Sequence, residues 1–201
     1  MAKCFWEPTT LLAPVPAVLV SCGSMEHPNA LTVAWTGIVN TKPAMTYISL
    51  QKSRYSYELI DQTGEFVINL VPQSMVKAAD FCGVRSGRDM DKFAHCGFTP
   101  QQMTRVGAPG IEQSPINVEC RVSKRIELGS HEMFLSDIVG VHVDEDLIDE
   151  SGKLHIERAD LTAYAHGAYY ALSRRIGTFG YSVRKKSYTK KRKCRVSPKK
   201  T

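Results

Sequence analysis

The sequence of 201 residues is short of nearly every motif that announces a reaction. No G-x-x-x-x-G-K-[ST] phosphate loop occurs, and no G-x-G-x-x-G follows the first strand-like run, which sets P-loop and Rossmann nucleotide chemistry aside. Gly83-Val84-Arg85-Ser86-Gly87 has no serine centred between its glycines, so it is not a nucleophile elbow. The six cysteines, Cys4, Cys22, Cys82, Cys96, Cys120 and Cys194, include no C-x-x-C, and the six histidines form neither H-x-x-x-H nor H-E-x-x-H. Such dispersion argues for reduced, mostly buried thiols and against a disulfide framework or a zinc site. No carboxylate pair stands out for acid/base work. Glu157 with Asp160, and the run Asp144 to Asp146, read as solvated surface charge.

Long apolar runs are missing too. The best candidate, Leu11 to Val20, is interrupted by Pro14 and Pro16 and falls well short of the roughly 20 residues a membrane helix requires. It has no charged leader, so a soluble, cytoplasmic protein without membrane contact is expected. Basic residues crowd into one place: Arg184 to Thr201 holds ten Lys or Arg and no Asp or Glu. The remainder carries 16 basic against 20 acidic residues, so the net charge of +6 belongs to the tail. A mildly acidic body is not the footprint of a nucleic-acid-binding domain, and nucleic acid is not an expected partner. The chain therefore divides into one domain over 1–183 and a basic C-terminal extension over 184–201, read as flexible and solubilising.

What is present is strand sequence. Ala17–Ser24, Ala30–Trp35, Ala44–Leu50 and Glu65–Leu70 read as strands, and Asn117–Leu128 with Glu132–Val143 as a hairpin around Gly129-Ser130. Lys153–Ile156 offers one more short strand. Helices are expected over Tyr55–Gln62, stopped by Thr63-Gly64, and over Met75–Cys82, with a helical turn at Asp91–His95. Short strands with a few inserted helices imply a mainly β fold, a barrel or closed sandwich. Along Ala30–Trp35, Leu31, Val33 and Trp35 share one face, while Ala30, Thr32 and Ala34 leave the other small. That small face accommodates either a flat ligand or a tight contact between sheets.

The stretch Tyr47–Tyr57, Y-I-S-L-Q-K-S-R-Y-S-Y, passes from strand through a polar turn into a helix start. Two cations, Lys52 and Arg54, and two serines, Ser53 and Ser56, stand where a helix exposes unpaired N–H groups and the positive end of its dipole. The arrangement suits a phosphate; it equally suits a solvated turn with Ser53 as N-cap. With side-chain chemistry so sparse, a reaction would rest on a bound cofactor.

In order and spacing, N-A-L-T-V-A-W (Asn29 to Trp35), I-S-L-Q-K-S-R-Y-S-Y, G-E-F-V-I-N-L (Gly64 to Leu70), S-G-R-D-M-D-K-F (Ser86 to Phe93) and H-G-A-Y-Y-A-L (His166 to Leu172) resemble the flavin reductase-like family, in particular its flavoredoxin-like branch. The likeness runs from about Pro14 to Lys185 and departs at Ser173, where a glycine would be expected. It implies a Greek-key FMN-binding split β-barrel, homodimeric, with noncovalent FMN at the subunit interface. By position, Lys52, Arg54 and Ser56, with Tyr57 nearby, would take the phosphate. Asn29, Thr32, Ala34, Trp35 and Thr36 would line the ring and ribityl side, Ser49 and Leu50 would offer backbone to the isoalloxazine, and Lys92 would reach the flavin from its loop. His166, Tyr169 and Tyr170 would supply pocket wall. The resemblance implies two functions: an NAD(P)H-dependent flavin or small-molecule reductase, or a flavoredoxin-type carrier passing electrons between protein partners.

Overall fold

Successive side chains of a strand point to opposite faces, and in β2 (Val18–Gly23) both faces are covered. Val18, Val20 and Cys22 enter the largest apolar cluster; Leu19 enters a second one. A strand buried on both sides has no room for a polar face, which is why its sequence reads as a nearly unbroken apolar run. The computed structural model describes residues 1–184, so all of the basic extension except Arg184 lies outside the described residues.

β1 (Val15–Pro16) precedes β2, followed by β3 (Pro28–Val33), β4 (Thr36–Asn40) and β5 (Met45–Leu50). Helix α1 (Tyr55–Thr63) leads to β6 (Glu65–Leu70), then α2 (Val76–Val84) and α3 (Lys92–Cys96). The short pair β7 (Pro100–Gln101) and β8 (Gly110–Ile111) comes before the long hairpin β9 (Ile116–Glu127) and β10 (Glu132–Val143). A final hairpin, β11 (Thr162–Ala165) and β12 (Ala168–Ala171), joins β1 in a small sheet. Seven strands make the main sheet in the order β3-β2-β6-β9-β10-β5-β4, antiparallel throughout.

That order has a geometric consequence. β3 and β4 are consecutive in sequence yet form opposite edges of the sheet, and only Ala34 and Trp35 connect them. Two residues span only about 7 Å when extended, so the sheet must curl until its edges nearly meet. The Ser49 amide donates to the Trp35 carbonyl at 2.9 Å and ties β5 to this junction. Inside the curl lie Val18, Val20, Leu31, Val33, Ile48, Leu50, Phe66, Ile68 and Phe134, with Ile60 of α1 packed among them. Against the outer face, α2 and α3 bury Ala79, Cys82 and Phe93 with Leu19 and Ala30. The mainly β barrel with inserted helices is therefore the observed architecture.

Several boundaries differ from expectation. Lys153–Ile156 forms no strand; Leu154 makes an isolated bridge to Ile148, and a 3-10 turn begins at Ile156. β4 lies in T-G-I-V-N, which carries few strand signals because Ile38, Val39 and Asn40 are exposed on an edge. Ser53 is not the helix cap: Arg54 occupies that position in extended conformation, without a side-chain capping bond. α3 has the capping that α1 lacks, since the Asp91 carboxylate accepts from the Ala94 amide at 3.0 Å.

Candidate functional site

Where the two sheet edges meet, a cleft of two joined lobes opens. The larger, about 330 Å³, is lined by the end of β3 and the junction (Thr32, Ala34, Trp35), the end of β5 (Ser49, Leu50), and Tyr164 and Tyr169 of the last hairpin. The smaller, about 150 Å³, is lined by the start of α1 (Ser53, Arg54, Ser56) and by Gly83, Arg85, Ser86, Gly87 and Lys92. Leu31, Thr32, Arg54 and Gly83 border both lobes. One side is thus an apolar slot with small residues, the other a cationic, hydroxyl-rich end.

Arg54 and Ser56 owe their places to the open start of α1. With no side-chain cap at Arg54, the first-turn N–H groups and the helix dipole act at this end of the cleft. The Arg54 guanidinium reaches the Gly83 carbonyl in the last turn of α2, 3.4 Å away. Lys92 Nζ donates to the neighbouring Cys82 carbonyl at 2.9 Å and to Ala30 O at 2.8 Å. Cations thereby satisfy the carbonyls at the negative end of α2 and line the smaller lobe from behind. Burial lowers the Lys92 pKa from its ordinary value. Two of the three ammonium hydrogens are engaged, leaving one.

The loop between α2 and α3 closes over this lobe. Arg88 donates to Ser53 O at 3.1 Å, pairs with Glu58 and lies over the Tyr55 ring, clamping the loop onto α1. Beneath it, Asn29 Nδ2 donates to Ser56 Oγ at 2.6 Å, and both residues are buried. On the other lobe, Tyr164 and Tyr169 stack edge to face at 5.4 Å, and burial followed by nearby Asp80 raises the Tyr169 pKa.

The structure brings Thr32, Ala34, Trp35, Ser49, Leu50, Arg54, Ser56, Lys92 and Tyr169 together on the cleft. Asn29 stands behind it, holding Ser56. Other expected residues lie elsewhere. Lys52 is outside both lobes, held by Glu127 and by Glu132 at 3.3 Å, which together raise its pKa. Tyr57 donates to Glu132 at 2.8 Å and packs on Phe134, on the barrel side of α1. Successive helical residues point about 100° apart, so Ser56 and Tyr57 cannot both face the lobe. Thr36 donates to Tyr47 O at 2.6 Å and lines a neighbouring cavity with Trp35 and His131. His166, at φ 47° in the β11–β12 turn, borders another cavity with Trp35 and Tyr164, and Tyr170 is exposed outside both lobes.

Arg85, Ser86 and Gly87 went unassigned in the sequence, although a Gly- and Arg-rich loop directly after a helix was a usable signal. His131, at the tip of the β9–β10 hairpin, gave none, because only the curl of the sheet carries that tip to the larger lobe.

The donor set fits a phosphate monoester: Arg54 and Arg85, the hydroxyls of Ser53, Ser56 and Ser86, and a helix N-terminus converge on the smaller lobe. Residues 11–173 match the flavin reductase like domain. The fold superposes on the flavoredoxin of Desulfovibrio vulgaris (Miyazaki F) with a TM-score of 0.84 and 31% identity, over 91% of this chain and all of that one. The Methanosarcina acetivorans flavoredoxin gives 0.82 and 26%, with the same coverage. An NADH-dependent FMN reductase of Streptomyces nodosus subsp. asukaensis is 27% identical over 67% of this chain and 71% of that protein.

Proposed function

The chain belongs to the flavin reductase like domain family, within its flavoredoxin-like branch, and from that premise we propose that it holds FMN noncovalently in the two-lobed cleft and exchanges electrons with NADH or NADPH. The family and its relatives support a flavin-binding oxidoreductase; FMN and the electron donor are the finer reading. The observation that carries it is the pairing of a flat, small-faced lobe with a cationic lobe at an open helix N-terminus. When bound, the flavin supplies the reversible two-electron chemistry that none of these side chains possesses.

The protein's part is to bind, orient and shield. Arg54, Arg85 and the three serines hold the phosphate by charge-assisted bonds, and Lys92 adds positive charge from behind. Thr32 of β3 and Ala34 of the junction leave room for a planar ring to lie against the backbone, with Ser49 and Leu50 at the edge of the slot. Trp35, Tyr164 and Tyr169 wall it from water. A homodimer, with the cofactor near the subunit interface, completes the proposed arrangement.

A purified sample should be yellow and release FMN on denaturation. A colourless protein that cannot be reconstituted with FMN overturns the reading. The likeness to two flavoredoxins, each covered over its whole length, favours a second reading, in which the protein passes electrons between protein partners. Stopped-flow mixing of the FMN-loaded protein with NADH and NADPH separates the two. Rapid bleaching supports the reductase, and its absence supports the carrier.

A further inference from the structure

Cys82 and Cys96 place their sulfurs 3.9 Å apart, at the ends of α2 and α3. The residues before them, Phe81 and His95, stack at 4.1 Å with planes only 12° apart, so the two helix ends are in register over two consecutive positions. Cys82 is buried; Cys96 is half-buried and reachable from solvent. Between them runs the whole Gly83–His95 segment, which supplies Gly83, Arg85, Ser86, Gly87 and Lys92 to the smaller lobe. We propose that Cys82 and Cys96 are a modification site, a dithiol oxidised by peroxides to a disulfide that staples this segment shut and slows release of the bound phosphate.

The chemistry balances. The Cys96 thiol attacks the peroxide, its S–H proton is lost, and the O–O bond breaks to give a sulfenic acid and water or alcohol. Cys82 then forms the S–S bond and expels the sulfenic oxygen as water, so that two thiols are oxidised and one peroxide is reduced. Closing the bond requires the sulfurs to approach from 3.9 Å to about 2 Å, across ends already in contact. Burial raises the pKa of both thiols, that of Cys82 to about 12, so at neutral pH both rest protonated. The effect on release rests on the phosphate reading of the smaller lobe; the dithiol itself does not.

The test uses the full chain, reduced, loaded with FMN and treated with tert-butyl hydroperoxide. Peptide mapping after alkylation should find Cys82 joined to Cys96 with loss of two hydrogens, and flavin fluorescence should report severalfold slower FMN release, reversed by dithiothreitol. The Cys96→Ser variant should bind FMN like the wild type and lose the response. If exposed Cys4 is oxidised while Cys82 and Cys96 stay unlinked, or if the link forms without slowing release, the proposal fails. Slowed release that persists in Cys96→Ser also overturns it. Failure of the reduced protein to bind FMN would sink the cofactor reading instead, and the mapping would then decide the dithiol alone.

Discussion

Gly87 lies directly on Asn29: a Cβ added to Gly87 would stand 2.1 Å from Asn29 Oδ1. Asn29 is buried and its amide nitrogen is engaged by Ser56, so it cannot swing clear, and Tyr55 blocks the other side at 2.9 Å. Gly87→Ala should therefore lift the α2–α3 loop off the smaller lobe. We expect the fold to lose about 1–3 kcal/mol, the usual cost of overpacking, and FMN affinity to fall with the displaced loop. Titration by flavin fluorescence checks it; unchanged affinity would show that the loop does not close the phosphate end.

Arg54 and Lys52 stood as equal candidates in the sequence and are unequal in the fold. Arg54→Ala removes a charged donor from the lobe and should weaken FMN binding by about 1.5–3 kcal/mol. Lys52→Ala breaks the pairs with Glu127 and Glu132 outside the cleft and should leave FMN affinity unchanged. Isothermal titration of both variants decides the matter. A larger loss in Lys52→Ala would return that residue to the phosphate.

The difference between those two residues shows what the sequence could reveal. Strands β2, β5, β6, β9 and β10 were legible because burial on one or both faces imprints a period on the apolar residues. The cationic turn at Arg54 and the small side chains of Thr32 and Ala34 were legible too, since each group lies within one continuous stretch. His131 and Tyr164 were not, because the larger lobe exists only once the edges β3 and β4 meet. The position of Lys52 was not legible, because a strand-to-helix turn fixes no side-chain direction, and its partners Glu127 and Glu132 lie 75 or more residues away in the chain.

Glu119 sets a limit on acid stability. Its buried carboxylate accepts from the Val106 amide at 3.0 Å, from the Arg105 amide and from His142 at 2.9 Å. Burial alone would raise its pKa, but these donors outweigh burial and hold it below the ordinary 4.5. A depressed carboxylate stabilises the fold fully above its unfolded value, and the contribution drains away as pH falls through the folded one. Glu119→Gln should cost about 1–3 kcal/mol at pH 7 and flatten the acid limb of the stability curve below pH 4.5. Urea melts across pH measure both; an unchanged acid limb would remove Glu119 from that role.

Lys92 should act at the alkaline end, with the same sign of slope. Burial holds its pKa below the ordinary 10.5, so at alkaline pH the folded state releases this proton before the unfolded chain does. In the window between the lowered value and 10.5 the unfolded state binds more protons, and this group's contribution to stability rises with pH. A bound phosphate favours the charged ammonium and works against that release. The stabilisation conferred by FMN should therefore shrink as pH climbs through the window, and the shrinkage should be much reduced in Lys92→Met. Paired melts with and without FMN test this. Equal pH slopes in the wild type and the variant would show that Lys92 only pins Ala30 and Cys82 and feels no phosphate.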